Sequence, residues 1–193
     1  KEIIAQSSIF PLIRINQVKR HGEESFKKFQ SVPIKEVLRD LKEAAKVFKQ
    51  MEFNIGNVRI NEDDYVSLVS KSTGLTSELV RGEINEIADI LNNMGDILKV
   101  QIPGDIEDAL DKKFFRNHES YTGYYPAGKT LAIKLPGNVP TICLYWLIPL
   151  AQKRPIFLIP PKEDLFTHFL LFEAIKKVSS LLSSFISFLP CDG

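Results

Sequence analysis

The stretch over residues 129–189 constrains the fold most, because short and long apolar runs alternate along it. Residues 129–135 and 155–159 are short. The second is continuously apolar, as parallel strands buried on both faces are. Between them, residues 141–152 read as a buried helix, with Pro149 placed to kink its end. Residues 165–180 read as another helix, with Glu163 and Asp164 at the positive end of its dipole. Residues 185–189 read as the next strand. Strand, helix, strand, helix, strand with short connections predicts a parallel sheet wound right-handed. In such sheets ligands bind beyond the carboxyl ends of the strands. Pro136-Gly137-Asn138 and Pro160-Pro161-Lys162-Glu163 fall at those ends.

Upstream, the pattern has helical period. Val37, Leu38, Leu41, Ala44, Ala45 and Phe48 make one stripe over residues 33–51, with Pro33 suited to the first turn and a break at residues 54–57. Asn61 caps a second helix, Glu62, Asp63 and Asp64 fill its first turn, and Gly74 ends it. Tyr65, Leu68 and Val69 are its inward residues. Thr76 or Ser77 opens a third helix expected to run to about Val100, burying Leu79, Val80, Ile84, Ile87, Leu91, Met94 and Leu98. Pro103-Gly104 closes this block, and a short amphipathic piece follows over residues 106–114. Residues 121–125 read as a strand, residues 3–18 as an irregular or edge-strand arm interrupted by Pro11, and residues 19–31 as a polar connection. Helices in succession with no strand between them predict a helical layer.

Composition excludes more than it selects. At 193 residues, 44% hydrophobic and 25% charged, the chain can bury a sizeable core. A net charge of +1 gives no argument for nucleic acid, and no basic-aromatic pattern suggests it. The longest apolar run, residues 139–151, is closed by Gln152-Lys153-Arg154 and falls short of the roughly 20 residues that span a bilayer. Cys143 and Cys191 are too few for a disulfide framework, and the first ten residues lack the apolar core of a secretory leader, so a cytoplasmic setting is expected. His21, His118 and His168 show no metal spacing with the cysteines, and no Ser/His/Asp triad is evident. The chain begins with Lys, which suggests a piece of a longer protein.

Neither a GxGxxG fingerprint nor a P-loop is present. The motifs instead resemble the cofactor domain of the aldehyde dehydrogenase superfamily, most closely its fatty acyl-CoA reductase branch. That pattern runs Pro-x-Gly, a strand, a Pro-x-Asn-x-Pro loop, a buried helix, a strand and a Lys-Pro-Ser-Glu-like loop. Pro126-Ala127-Gly128 matches the first element, and Pro136-Gly137-Asn138-Val139-Pro140 matches the Asn loop with both prolines in place. Pro160-Pro161-Lys162-Glu163 takes the second loop, and Asp164-Leu165-Phe166 is similar to the Asp-Pro-Phe that follows it. The tail Pro190-Cys191-Asp192-Gly193 looks like the family's Pro-Gly-x-Gly turn, and residues 70–87 resemble its Glu-Thr-Gly-Lys helix boundary.

The resemblance implies an α/β fold: an N-terminal arm and helical layer over residues 1–118, packed on a partial Rossmann-like parallel sheet over residues 119–193. It implies a thioester route, in which a cysteine thiolate attacks an acyl-CoA or aldehyde carbonyl and hydride moves to or from NADP or NAD. Asn138 matches the family's oxyanion-holding asparagine, a donor worth about 3 to 4 kcal/mol. Capping of the following helix is an alternative that Asn138 also permits. Leu135, Pro136, Gly137, Pro160, Lys162 and Glu163 take the cofactor-binding positions. Glu163 takes that of the glutamate that holds a ribose hydroxyl, or is an ordinary first-turn acid. An ammonium at Lys162 would favour a 2′-phosphate, or be a plain surface lysine.

Some positions depart from the pattern. Pro160 replaces the family's lysine and has no ammonium for the ribose. Gly137 stands where tryptophan is common. The resemblance places the catalytic cysteine in a later domain beyond Gly193, and Cys143 reads as a core residue. The expectation is therefore an N-terminal portion of an NAD(P)-dependent oxidoreductase, inactive alone. It would pair with a nicotinamide cofactor, a small acyl or aldehyde substrate and a second copy of itself. A binding or assembly module that kept the fold, and an acyl-phosphate reductase of the same superfamily, are the alternatives.

Overall fold

The computed structural model describes residues 9–11, 15–117 and 119–190. It is a mixed α/β structure with a small parallel sheet. Helix α1 spans Ile15–Gln30 and α2 Ile34–Gln50. The hairpin β1 (Phe53–Ile55) and β2 (Val58–Ile60) precedes α3 (Glu62–Thr73), α4 (Ser77–Asn92) and α5 (Met94–Gln101). A π-helical turn, Asp108–Lys112, leads into a second hairpin, β3 (Phe114–Asn117) and β4 (Ser120–Gly123). The parallel unit follows as β5 (Leu131–Lys134), a 3-10 turn (Pro140–Cys143), α6 (Leu144–Ala151), β6 (Ile156–Ile159), α7 (Leu165–Val178), α8 (Ser180–Ser183) and β7 (Ile186–Phe188).

The parallel unit has the expected alternation. Strand order is β5-β6-β7, with Leu131 opposite Ile156 and Ile156 opposite Ile186. Ile156 and Leu158 are fully buried. On the same face Phe188 packs edge-on to Phe169 of α7, with ring centroids 5.8 Å apart. Helix α2 packs on α4 and on both crossover helices, so helical layer and sheet share one core. Asn61 and Asp64 form a reciprocal capping box on α3, and Gly74 ends that helix with a φ of 80°. Thr76 caps α4.

The structure differs from the sequence reading in the N-terminal half. Residues 15–30 form a helix, not an arm followed by a connection. Their buried side includes Gly22, Ser25 and Phe29, a helical spacing in which the first two are residues that hydropathy does not flag. Gly22 allows close approach: a methyl there would lie 2.7 Å from the ring of Phe157 on β6. Helix α1 thereby covers part of the sheet face away from α7. The break at residues 54–57 is the end of β1 and the turn of a hairpin, with Gly56 at a φ of 60°. The helix expected to reach Val100 stops at Asn93, whose amide bonds the Asp89 carbonyl, and restarts as α5. Leu79, expected inside, is 45% exposed.

The layers are tied by Lys153, a fully buried lysine between α6 and β6. Its Nζ donates to the Gln30 carbonyl (2.8 Å), the Leu110 carbonyl (3.2 Å) and Asp111 Oδ1 (2.8 Å). Asp111 also accepts the Ile34 N–H with both carboxyl oxygens at 3.1 Å, satisfying the start of α2. Lys153→Met keeps the side-chain volume but leaves Asp111 without its cation. Urea unfolding is expected to show a loss of about 3 kcal/mol, the usual cost of breaking a buried pair from one side.

Candidate functional site

The carboxyl ends of β5 and β6 carry the loops singled out in the sequence. The Leu135 N–H bonds the Ile159 carbonyl at 3.1 Å, so both strands end at the same level. Leu135 and Pro160 are buried at the root of this site, while Pro136 is exposed. Beyond them the loops touch. A methyl added at Gly137 would lie 2.7 Å from Glu163 Oε2 and 2.8 Å from Glu163 Cβ. Glycine is therefore what lets the Asn loop lie against Glu163. Gly137 is thus a contact position.

Asn138 is exposed at the tip of its loop, beside Glu163's partner Gly137. Its alternative role as a cap is corrected. The 3-10 turn starts at Pro140, its N-terminal flank is Val139, and no side chain caps it locally. The proline pair places the turn one residue later than Asn138 could cap. Instead the Thr141 N–H donates to Oε2 of Glu83, 2.8 Å away on α4, and Glu83 is itself buried. Lys162 and Glu163 are both exposed, so the loop pair presents an amide, an ammonium and a carboxyl to solvent.

Beneath the loops lies a buried polar layer. Asp164 caps α7, its Oδ1 accepting the Thr167 N–H at 3.2 Å, while Oδ2 is buried without a partner. Thr167 Oγ1 and the Tyr65 hydroxyl share a bond of 2.8 Å. Trp146 Nε1–H donates to His168 Nδ1 at 3.3 Å. That makes Nδ1 the acceptor and puts the imidazole proton on Nε2, which is buried without a partner. Burial raises the Asp164 carboxyl above the usual carboxylate range and pushes His168 down to about 3. Burial, with the Asp164 and Glu83 carboxyls nearby, also drives the Cys143 thiol far up. Cys143 is inert as a nucleophile.

Among the described residues no three His, Cys, Asp or Glu side chains gather as a metal site requires. No helix among them is long and apolar enough to cross a membrane. His21 is exposed on α1, and His118 and Cys191 lie outside the described residues. Glu83 and the paired role of Tyr65 with Thr167 were not legible as site features. Each sits on a helix face whose polar partner comes from a distant segment. Asp164 had a local signal, the Asp-x-x-Thr spacing of a helix cap. Comparison with protein-family models, with curated proteins and with solved structures finds no match.

These contacts make two measurements decisive. Glu83→Ala removes the acceptor for the Thr141 N–H and is expected to cost about 1 to 3 kcal/mol in urea unfolding, whereas Glu83→Gln keeps an oxygen there and loses less. His168 sets an acid limb. Between pH 6.5 and about 3 the unfolded chain takes up a proton that the folded His168 refuses, so stability falls as pH falls. Asp164, with its raised value, works in the opposite sense at the low end of that window. Between pH 7 and pH 4.5, His168→Phe is expected to lose on the order of 2 kcal/mol less than the parent chain.

Proposed function

We propose that this chain is the N-terminal, cofactor-holding portion of an NAD(P)-dependent oxidoreductase of the aldehyde dehydrogenase type, acting on an acyl-CoA or aldehyde through a cysteine thioester. One observation carries the reading. The Asn loop and the Glu163 loop leave adjacent parallel strands at the same level and meet at Gly137. A ligand seated beyond those ends meets the Asn138 amide and the Glu163 carboxyl together, with Lys162 beside them. Asn138 spends its amide on no contact among the described residues, which supports a role as donor to a developing oxyanion. Glu163 suits a ribose hydroxyl. Leu135, Pro136 and Gly137 would form the floor of the nicotinamide-bearing cleft. When bound, the nicotinamide supplies hydride transfer; this chain's residues hold and orient the cofactor. Cys143 is excluded as nucleophile by its burial, so the attacking thiolate belongs to a later domain in this reading.

A second reading rests on Pro160. It is buried and offers no ammonium to the ribose, which favours a binding or assembly module with this fold but without turnover. An acyl-phosphate reductase of the same superfamily would share the loop pair, and a homo-oligomer through the sheet edges suits either reading.

Calorimetric titration with NADPH and NADH separates the first two. Saturable binding of either, weakened about 10-fold or more in Glu163→Ala, is expected from loss of a charge-assisted hydrogen bond. Binding that ignores the substitution, or no binding to either cofactor, would favour the module.

A further inference from the structure

At the end of the sheet opposite the loop pair, two cations make no ion pair among the described residues. Lys113 follows the π-helical turn, and Arg154 immediately precedes Pro155 and β6. Both line a cavity of about 180 Å³ that Gln30, Tyr124, Pro126 and Gln152 help to close. Its lining residue Arg154 comes two positions before Ile156, the first paired residue of β6, whereas the loop pair follows Lys134 and Ile159. A strand of this length separates the two sites by about 10 Å.

The carboxyl group nearest these cations is already engaged. Asp111 pairs with Lys153 and accepts the Ile34 N–H. Lys113 Nζ donates to Gln30 Oε1 and to the Leu110 carbonyl, both neutral. Burial, and then the Lys153 cation, push Lys113 down to about 8. Arg154 makes no ion pair among the described residues, and its Nε–H is buried with no acceptor. Unpaired guanidinium donors inside a protein are costly, and native structures leave few of them. An anion in the cavity would satisfy Arg154 and neutralise Lys113 at once.

The kind of anion follows from shape. A guanidinium fork and an ammonium lining one cavity offer donors to the several oxygens of a phosphate. The cavity is smaller than the roughly 300 to 1,000 Å³ that encloses a whole organic ligand. It fits one group, with the remainder of the ligand outside against Tyr125, a lining residue 76% exposed. We propose that this cavity binds a phosphate group, held by Lys113 and Arg154, at a site separate from the loop pair.

The test is calorimetric titration of the chain with inorganic phosphate and with phenyl phosphate at constant ionic strength. Phenyl phosphate is used because it carries no nucleoside that the loop pair could hold. Saturable binding is expected, weakened at least 10-fold in Arg154→Gln and in Lys113→Gln, and unchanged in Glu163→Ala. Tighter binding of phenyl phosphate than of phosphate would identify an ester as the ligand class; equal binding would identify the free ion. No saturation with either probe, or binding unchanged in Arg154→Gln, overturns the proposal. Thermal unfolding without ligand confirms that each variant is folded, and Lys113→Gln carries the test if Arg154→Gln is not. The Glu163→Ala arm keeps this outcome independent of the cofactor reading.

Discussion

The buried ammonium of Lys153 is the interaction on which the layers depend. Taking a lysine out of water costs several kcal/mol unless each donor finds an acceptor. Here the acceptors are the Gln30 carbonyl at the end of α1, the Leu110 carbonyl in the π-helical turn, and Asp111, which also holds the first turn of α2. The Gln30 side chain returns a bond to the Lys153 carbonyl at 2.8 Å. Segments far apart in the chain are thus fixed to the amino end of β6. Lys153 also takes a left-handed backbone, φ 61°, where a helix end usually has glycine. The side chain's bonds offset that conformational cost.

With the amino ends of the strands held in this way, the carboxyl ends are set by Glu83 and Asp164. Glu83 reaches from the helical layer to the turn after the Asn loop, and Asp164 caps the helix after the Glu163 loop. Both loops are therefore anchored one step behind their exposed residues. The anchors sit in a layer containing Tyr65, Thr167, His168 and Trp146, where burial favours neutral forms of the titratable groups. In the proposed reading it is the exposed groups of the loop pair, rather than the buried ones, that meet the ligand.

The parallel unit was legible because its apolar runs are continuous and differ in length, which distinguishes strand from helix without partners. Asn61 with Asp64, and Gly74, were legible because capping and helix termination act over a few residues. Helix α1 was not, since Gly22 and Ser25 are buried by what lies across from them, the ring of Phe157 among it. The short hairpins were missed for a related reason. Strands of a few residues, such as β1 and β2, carry too little periodicity, and pairing defines them. Within the site, Gly137, Asn138 and Glu163 were named from motif alone. That Gly137 touches Glu163, and that Asn138 does not cap, depended on the geometry of two strand ends.

The sequence by itself determined the order of elements from β5 to β7, the helix ends that carry their own caps, and which loops fall at the carboxyl ends of the strands. Each follows from local spacing, where one residue's chemistry acts on its neighbours in the chain. Only the tertiary structure decided that Lys153 is buried and satisfied, that Glu83 supports the Asn loop, and that Lys113 and Arg154 line one cavity. Those facts join residues tens of positions apart. Burial and charge pairing depend on distance in space, which no local pattern in the chain encodes.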